Sequence, residues 1–350
     1  MVRGMSKIDI NIMESIEKAI ENVEFSGIAF VKEGTEVIYE GAAGFADRTE
    51  ARLNRVNTRF GIASGCKLFT AIAICQLAEK GIISFNMRLK DCLDTEFPYF
   101  NETVTIHHLL THTSGIPDYF DEDVMDDFEE IWKNTPMYLV RKTADFLPLF
   151  QNGIMKFSPG EKFHYNNAAF IVLGLIVEKH SGLSFTDYVG TNIFEPCKMN
   201  DSGYFSLDQL PKNTANGYID NEDGAWKTNA YSIPIIGGPD GGAYITANDI
   251  NKLWEALFSN VLLSKKYTDI LLRPHVQVKD GVYYGYGVWM NKKENNFLKY
   301  HIMGYDPGVS FHSAVYPERD LKVTIASNKS SGAFQIMKAI EDTFEQKKLG

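Results

Sequence analysis

Ser64 and Lys67 stand three residues apart at the head of an apolar stretch, Phe60–Gly81, FGIASGCKLFTAIAICQLAEKG. A serine hydroxyl is a poor nucleophile until a neighbouring base takes its proton. A lysine amine acts as that base only when it is largely desolvated, because burial disfavours its charged form. Residues three apart on a helix share a face, so hydroxyl and amine can meet. The same spacing also arises from a serine cap followed by a surface lysine. Here the lysine stands where the helix is otherwise apolar all round, which places it in a core. Ser64 then sits at or just before the first turn, near free backbone N–H groups and the positive end of the helix dipole.

Other segments carry groups of chemical interest. Ser158–Asn167, SPGEKFHYNN, leads into a second apolar helix, with Pro159-Gly160 as a turn and Asn167 as its expected cap. A tyrosine at 165 can face a cleft, and acting as a base would require nearby positive charge, such as Lys67, to lower its phenol. His107, His108 and His112 lie in HHLLTHTSG, which has no helical Glu between the histidines. That favours structural hydrogen bonding over a metal. Gly237–Gly242, GGPDGG, lacks the Lys-Ser/Thr ending of a phosphate loop and reads as a tight turn beside the cleft. Asp118–Glu130, DYFDEDVMDDFEE, carries eight acids in thirteen positions. It matches no calcium loop, and if it overhangs the cleft it repels carboxylate substrates.

These groups need elements to hold them. Ile8–Val23 has helical periodicity, and Gly27–Lys32 with Glu36–Tyr39 reads as an antiparallel hairpin. From Phe60 to about Met199 the chain reads as mainly helical, with helices at Ile106–Leu110, Asn166–His180 and Ser184–Phe194. After Gly203 come turns and strands, with a helix at Ala247–Phe258. Val282–Met290, Phe297–Met303, Val309–Tyr316 and Lys322–Ser327 read as a strand meander, closed by a helix at Phe334–Glu345. The layout is α+β: an antiparallel sheet flanked by the terminal helices, plus a mainly helical lobe. We expect one packed unit over residues 8–345, with 8–59 and 200–345 as the sheet lobe and 60–199 as the helical lobe, the cleft lying between them.

The 350 residues allow a large core, and a formal charge of −10 argues against nucleic acid and anionic membrane as partners. No run approaches a transmembrane length and the N-terminus lacks a signal-like apolar core. As it stands the sequence reads as soluble and cytoplasmic; a periplasmic or extracellular chain shorn of a leader would read the same. Cys66, Cys75, Cys92 and Cys197 form no C-x-x-C pair, so buried free thiols are expected and zinc is not.

Taken together, the segments resemble the serine β-lactamase-related family, in its class C, D-alanyl-D-alanine carboxypeptidase and esterase branch. Ser64–Lys67 resembles the S-x-x-K motif, and Leu109–Ile116 the LLTHTSG signature. Ser158–Asn167 resembles the PG…Y-x-N element, and Gly241–Asp249 is similar to GGLYSTAxDL. The resemblance implies a β-lactamase/penicillin-binding fold and acyl transfer through an ester on Ser64, with Lys67 and Tyr165 sharing the proton work and no cofactor. It implies that Asn167 binds a substrate amide or holds Lys67. The third motif, K-T-G or H-x-G followed by P-G, falls in Tyr300–Gly308, YHIMGYDPG. With Gly304 as its glycine, the basic position is Ile302 and His301 faces the other way, unless a one-residue bulge turns it round. His301, Gly304 and Tyr305 are thereby candidate substrate-binding positions, and the N–H groups of Ser64 and Tyr305 candidate oxyanion donors. A small ester, a β-lactam or a D-amino-acid peptide is the expected substrate. A relative that acylates without turnover is the alternative.

Overall fold

The computed structural model describes residues 7–293 and 296–345. The apolar strand runs from the two ends of the chain meet in one antiparallel sheet. Its strands are β1 (Gly27–Glu33), β2 (Glu36–Ala43), β3 (Val276–Lys279), β4 (Val282–Tyr284), β5 (Trp289–Lys293), β6 (Asn296–Asp306), β7 (Val309–Tyr316) and β8 (Leu321–Ser327). They lie in the order β2-β1-β8-β7-β6-β5-β4-β3. The first strand pairs with the last from Gly27↔Ser327 to Glu33↔Leu321, which ties the N-terminal hairpin to the C-terminal meander.

Each face of the sheet buries a different set of side chains. On one, Ala29, Val31, Ala314, Val323 and Ile325 pack under α1 (Lys7–Asn22) and α5 (Ala333–Glu345), which supply Ile12, Ile16, Ile336 and Ile340. Both helices carry apolar residues on one side only, as a sheet-covering helix must. The other face contributes Ile28, Phe30, Ile302, Phe311 and Val315 to a larger core. That core also takes in α2 (Lys67–Glu79), α3 (Asn167–Ser181) and α4 (Ala247–Phe258). Every residue of α2 from Lys67 to Ala78 is buried. Burying a Leu, Ile or Phe side chain fully is worth roughly 1.5–3 kcal/mol, so α2 is anchored along its whole length.

Three readings of the sequence need correction. Val282–Met290 is not one strand: Gly285 to Val288 form a tight turn, with Gly287 at φ +68°, that splits it into β4 and β5. The edge strand β3, Val-Gln-Val-Lys, was not read as a strand because the alternation lasts only four residues and its valines are no more than half buried. Residues 111–166 hold no α-helix; 3₁₀ turns at Phe128–Lys133, Met137–Leu139 and Thr143–Leu149 lie among Pro117, Pro136 and Pro148, which break helical hydrogen bonding. Cys66, Cys75, Cys92 and Cys197 are buried free thiols, as expected.

Gly174, in the middle of α3, shows how the helices leave room for the functional loop. A Cβ there would lie 2.0 Å from Pro239 Cγ. Glycine in a helix ordinarily costs about 1 kcal/mol relative to alanine, yet overpacking of this kind costs about 1–3 kcal/mol. Gly174→Ala is therefore expected to lower the urea midpoint of unfolding despite its better helix propensity. A raised midpoint would show that Pro239 yields freely.

Candidate active site

Ser64 lies in a 3₁₀ turn, Ala63–Cys66, and the α-helix proper begins at Lys67. The helix thus starts about a turn later than the apolar pattern suggested, and the hydroxyl and the amine straddle the junction. Ala63 enters the turn at φ +45°, a conformation that alanine adopts only when its surroundings impose it. The short pairing of Phe60 with Ile245 and Gly61 with Tyr244 fixes the chain just before it. Gly241 abuts the turn from the other side, where a Cβ would lie 3.4 Å from the Ala63 carbonyl carbon.

Lys67 is only 2% exposed, and its Nζ has three polar neighbours. These are Ser64 Oγ at 2.9 Å, Asn167 Oδ1 at 2.8 Å and the Asp240 carbonyl oxygen at 2.9 Å. The last two carry no hydrogen and must accept N–H bonds. A neutral amine has two such hydrogens and one lone pair, so its third position accepts the Ser64 O–H. Burial lowers the Lys67 pKa from its ordinary value, against the opposing pull of Asp240, Glu122, Asp118 and Asp306. Thr70 Oγ1, one turn further along α2, donates to the Pro239 carbonyl and holds the same loop.

Tyr165 brings its phenol within hydrogen-bonding reach of the Ser64 side chain, and its ring lies 4.9 Å from Lys67 Nζ. Lys67 does not lower this phenol, contrary to the sequence-based expectation. Burial, with Glu122 next, raises it well above its ordinary value, so it is a neutral O–H group that can pass a proton on. The ring lies tilted against His112, with centroids 4.4 Å apart, and is stacked on Trp289 at 6.2 Å. His112, buried with φ +56°, accepts the Asn166 N–H on Nδ1 and meets the Tyr284 hydroxyl through Nε2. Its own carbonyl accepts the His164 N–H. The histidine thus aligns the backbone on both sides of Tyr165. His107 and His108 turn elsewhere, to Tyr286 and to the Thr105 N–H.

The cap of α3 is Asn166, whose side chain accepts the Ala169 N–H, and not Asn167. Asn167 is the first helical residue, which frees its amide to hold Lys67. Its own N–H and that of Ala168 go to the Asp118 carboxylate, at 2.7 and 2.9 Å. Burial pushes Asp118 up to about 7. Neither Asp118 nor Asp240 was singled out from the sequence. The one was lost in a run of acids, and the other was a residue of a turn.

Strand β6 settles where the third-motif residues lie. Pairing with β7 is unbroken from Tyr300↔Val315 to Asp306↔Val309, so no bulge occurs there. His301 opposes Ala314, on the face covered by α1 and α5, and is no substrate contact. Ile302 occupies the inward position and is buried in the large core. Pairing with β5 stops at Trp289↔His301, leaving the end of β6 free on that edge to approach the Ser64 turn. A Cβ on Gly304 would lie 2.1 Å from the Ile62 carbonyl oxygen and 2.7 Å from Ser64 N. Only glycine permits this approach.

Comparison with known proteins agrees with this geometry. The profile of the Beta-lactamase family matches residues 16–343. The chain belongs to that family. It is 31% identical to penicillin-binding protein 4* of Bacillus subtilis over 325 residues, 88% of this chain and 69% of that one. The crystal structure of a penicillin-binding protein from Bacillus halodurans superposes with a TM-score of 0.90 at 56% identity, covering 93% of this chain and 99% of that one. A D-stereospecific amidohydrolase from Streptomyces shares the fold, with a TM-score of 0.79 at 20% identity over 93% of this chain and 97% of that one. The chain is accordingly a serine hydrolase of the β-lactamase family. Among the described residues, no single helix is long and apolar enough to cross a membrane.

Ser64 opens on a cavity of about 430 Å³. Phe120, Phe146, Phe205, Leu207 and Ile235 supply apolar walls, while Glu122, Asp126, Asp240 and Asp306 also line it. The acidic segment therefore does border the cleft of this β-lactamase-family member. Asp121, Asp123 and His164 cluster nearby, with Asp121 paired to Lys156. Gly304→Ala is expected to force β6 away from the Ser64 turn and to lower the acylation rate by about 10²–10³, the loss typical of a missing oxyanion donor. Stopped-flow acylation by a chromogenic ester, with circular dichroism to confirm folding, checks this; a rate within threefold of wild type would contradict it.

Proposed function

We propose that this hydrolase cleaves amide or ester bonds through an acyl-enzyme on Ser64. Ser64 Oγ bonds to the carbonyl carbon as its proton passes to Lys67 Nζ. The bond to the leaving group then breaks, and Tyr165 relays that proton to the departing nitrogen or oxygen. Water takes the reverse route: it loses a proton to the same pair, attacks the ester and frees Ser64. Asn167 and the Asp240 carbonyl fix the amine so that its lone pair meets the hydroxyl. The N–H groups of Ser64 and Tyr305 are the oxyanion donors in this reading. We also infer one catalytic unit, with residues 60–199 forming the helical lobe.

One observation carries the reading: the 2.9 Å contact between Ser64 Oγ and a buried amine whose other two neighbours are acceptors alone. Ile302 supports a further restriction. No cation stands at the position where the family motif has Lys or His, so a substrate carboxylate has no partner there. That favours amides and esters over β-lactams, and it gives specific support to a second reading, slow turnover of bound penicillins.

Intact mass and turnover with a fluorescent penicillin and with p-nitrophenyl butyrate separate these outcomes. Ester turnover without a persistent adduct is the expected result, and a persistent penicillin adduct without ester turnover would favour the second reading. Ser64→Ala is expected to abolish both signals, and Lys67→Met to slow ester turnover by about 10²–10⁴, the usual worth of general-base catalysis. Undiminished turnover in Ser64→Ala would overturn the mechanism.

A further inference from the structure

We infer that His312, on strand β7, is a positioning residue for the oxyanion end of β6, acting through a hydrogen bond to the Tyr305 side chain. The inference rests on the acyl-enzyme reading and deepens it, since the Tyr305 N–H is the proposed second oxyanion donor. The sheet itself creates the need for such a tether. Pairing with β5 ends at Trp289↔His301, so from Ile302 onward β6 is paired along one edge alone. A catalytic donor, however, must hold its place to within about 0.5 Å.

Pleating sends successive side chains of a strand to opposite faces. Gly304 faces the Ser64 turn, so Tyr305 directs its side chain to the other face, where α5 begins. There Ser310, opposite Tyr305, accepts the Ala333 N–H at the start of that helix. On the same face the Tyr305 hydroxyl meets His312 Nε2 at 2.5 Å. His312 opposes Met303, so the bond runs diagonally between the strands and ties Tyr305 back toward the body of the sheet. Beyond Tyr305, the Asn229 side-chain amide donates to the Pro307 carbonyl and the Gly308 N–H to Ser330 Oγ, which fixes the hairpin tip. The diagonal bond secures the stretch between that tip and Gly304.

A second observation sets this histidine apart from a packing residue. It is 3% exposed, lies against the Phe334 ring of α5, and its Nδ1 has no hydrogen-bond partner. Burial, with Lys299 next, pushes its pKa down to about 3, so the ring is neutral. A neutral imidazole has one N–H and one lone pair, and a hydroxyl can complement either one at Nε2. Whichever nitrogen holds the proton, Nδ1 stays unmet, which costs stability that an apolar side chain would not. Among the described residues, the ring's one hydrogen bond is the bond to Tyr305.

Steady-state kinetics with p-nitrophenyl butyrate tests this. Tyr305→Phe keeps the ring and loses the hydroxyl; His312→Leu keeps the site filled and loses the nitrogen. Oxyanion donors act on charge that develops only in the transition state, and acylation and deacylation both pass through it. Each variant is therefore expected to lower kcat by about tenfold, with KM within about twofold of wild type. The double variant should be no slower than either single one, because the two remove the same bond. His312→Gln, whose amide can reach the place of Nε2, should recover most of the loss. A kcat within about twofold of wild type for Tyr305→Phe, a loss confined to KM, losses that multiply in the double variant, or a Gln variant no better than Leu would overturn the inference. Absence of ester turnover by the wild-type protein would instead sink the acyl-transfer reading.

Discussion

The site depends on one desolvated amine. Lys67 is buried at the start of a helix with no polar face, and desolvation there favours its neutral form. Three surrounding elements then complete its hydrogen bonding: the Ser64 turn, the first residue of α3 and the Gly237–Gly242 loop. Take away any one and the amine is left with an unmet bond or swings out of line. The opposing charges of Asp240, Glu122, Asp118 and Asp306 pull toward protonation, so the proposed base is balanced between burial and a negative surround.

Backbone conformation and close approach hold that arrangement in place. Ala63 and His112 both adopt left-handed φ angles, one beside the hydroxyl and the other beneath the Tyr165 ring. Gly304 lets β6 touch the turn, and Gly174 lets the loop sit on α3. Such positions cost stability locally, roughly 1–3 kcal/mol for a strained non-glycine residue, and persist because the large core overdetermines them. The same core is what makes a 3₁₀ turn at Ser64 as reliable a platform as a regular helix.

Much of this was legible in the sequence, because the groups that do chemistry sit on short local patterns. Ser64 and Lys67 are three residues apart, Tyr165 abuts a helix, and helices such as Ala247–Phe258 show plain periodicity. What was not legible depends on distant parts of the chain. Whether Asn166 or Asn167 caps α3 is decided by Asp118, some fifty residues away, taking the Asn167 N–H. The orientation of His301 turns on strand register, since a single-residue shift exchanges the two faces. The phenol of Tyr165 escapes lowering by Lys67 because its ring is enclosed by other rings and faces acids, which no spacing rule reveals.

The charge state of Lys67 is the most direct test. Carbon-13 NMR of protein labelled at lysine Cε, with the resonance assigned through Lys67→Arg, follows the titration of this amine alone. The account predicts a midpoint below the ordinary lysine value of 10.5. A Lys67 that stays protonated up to or beyond that value would contradict it, because an ammonium group has no lone pair to take the serine proton.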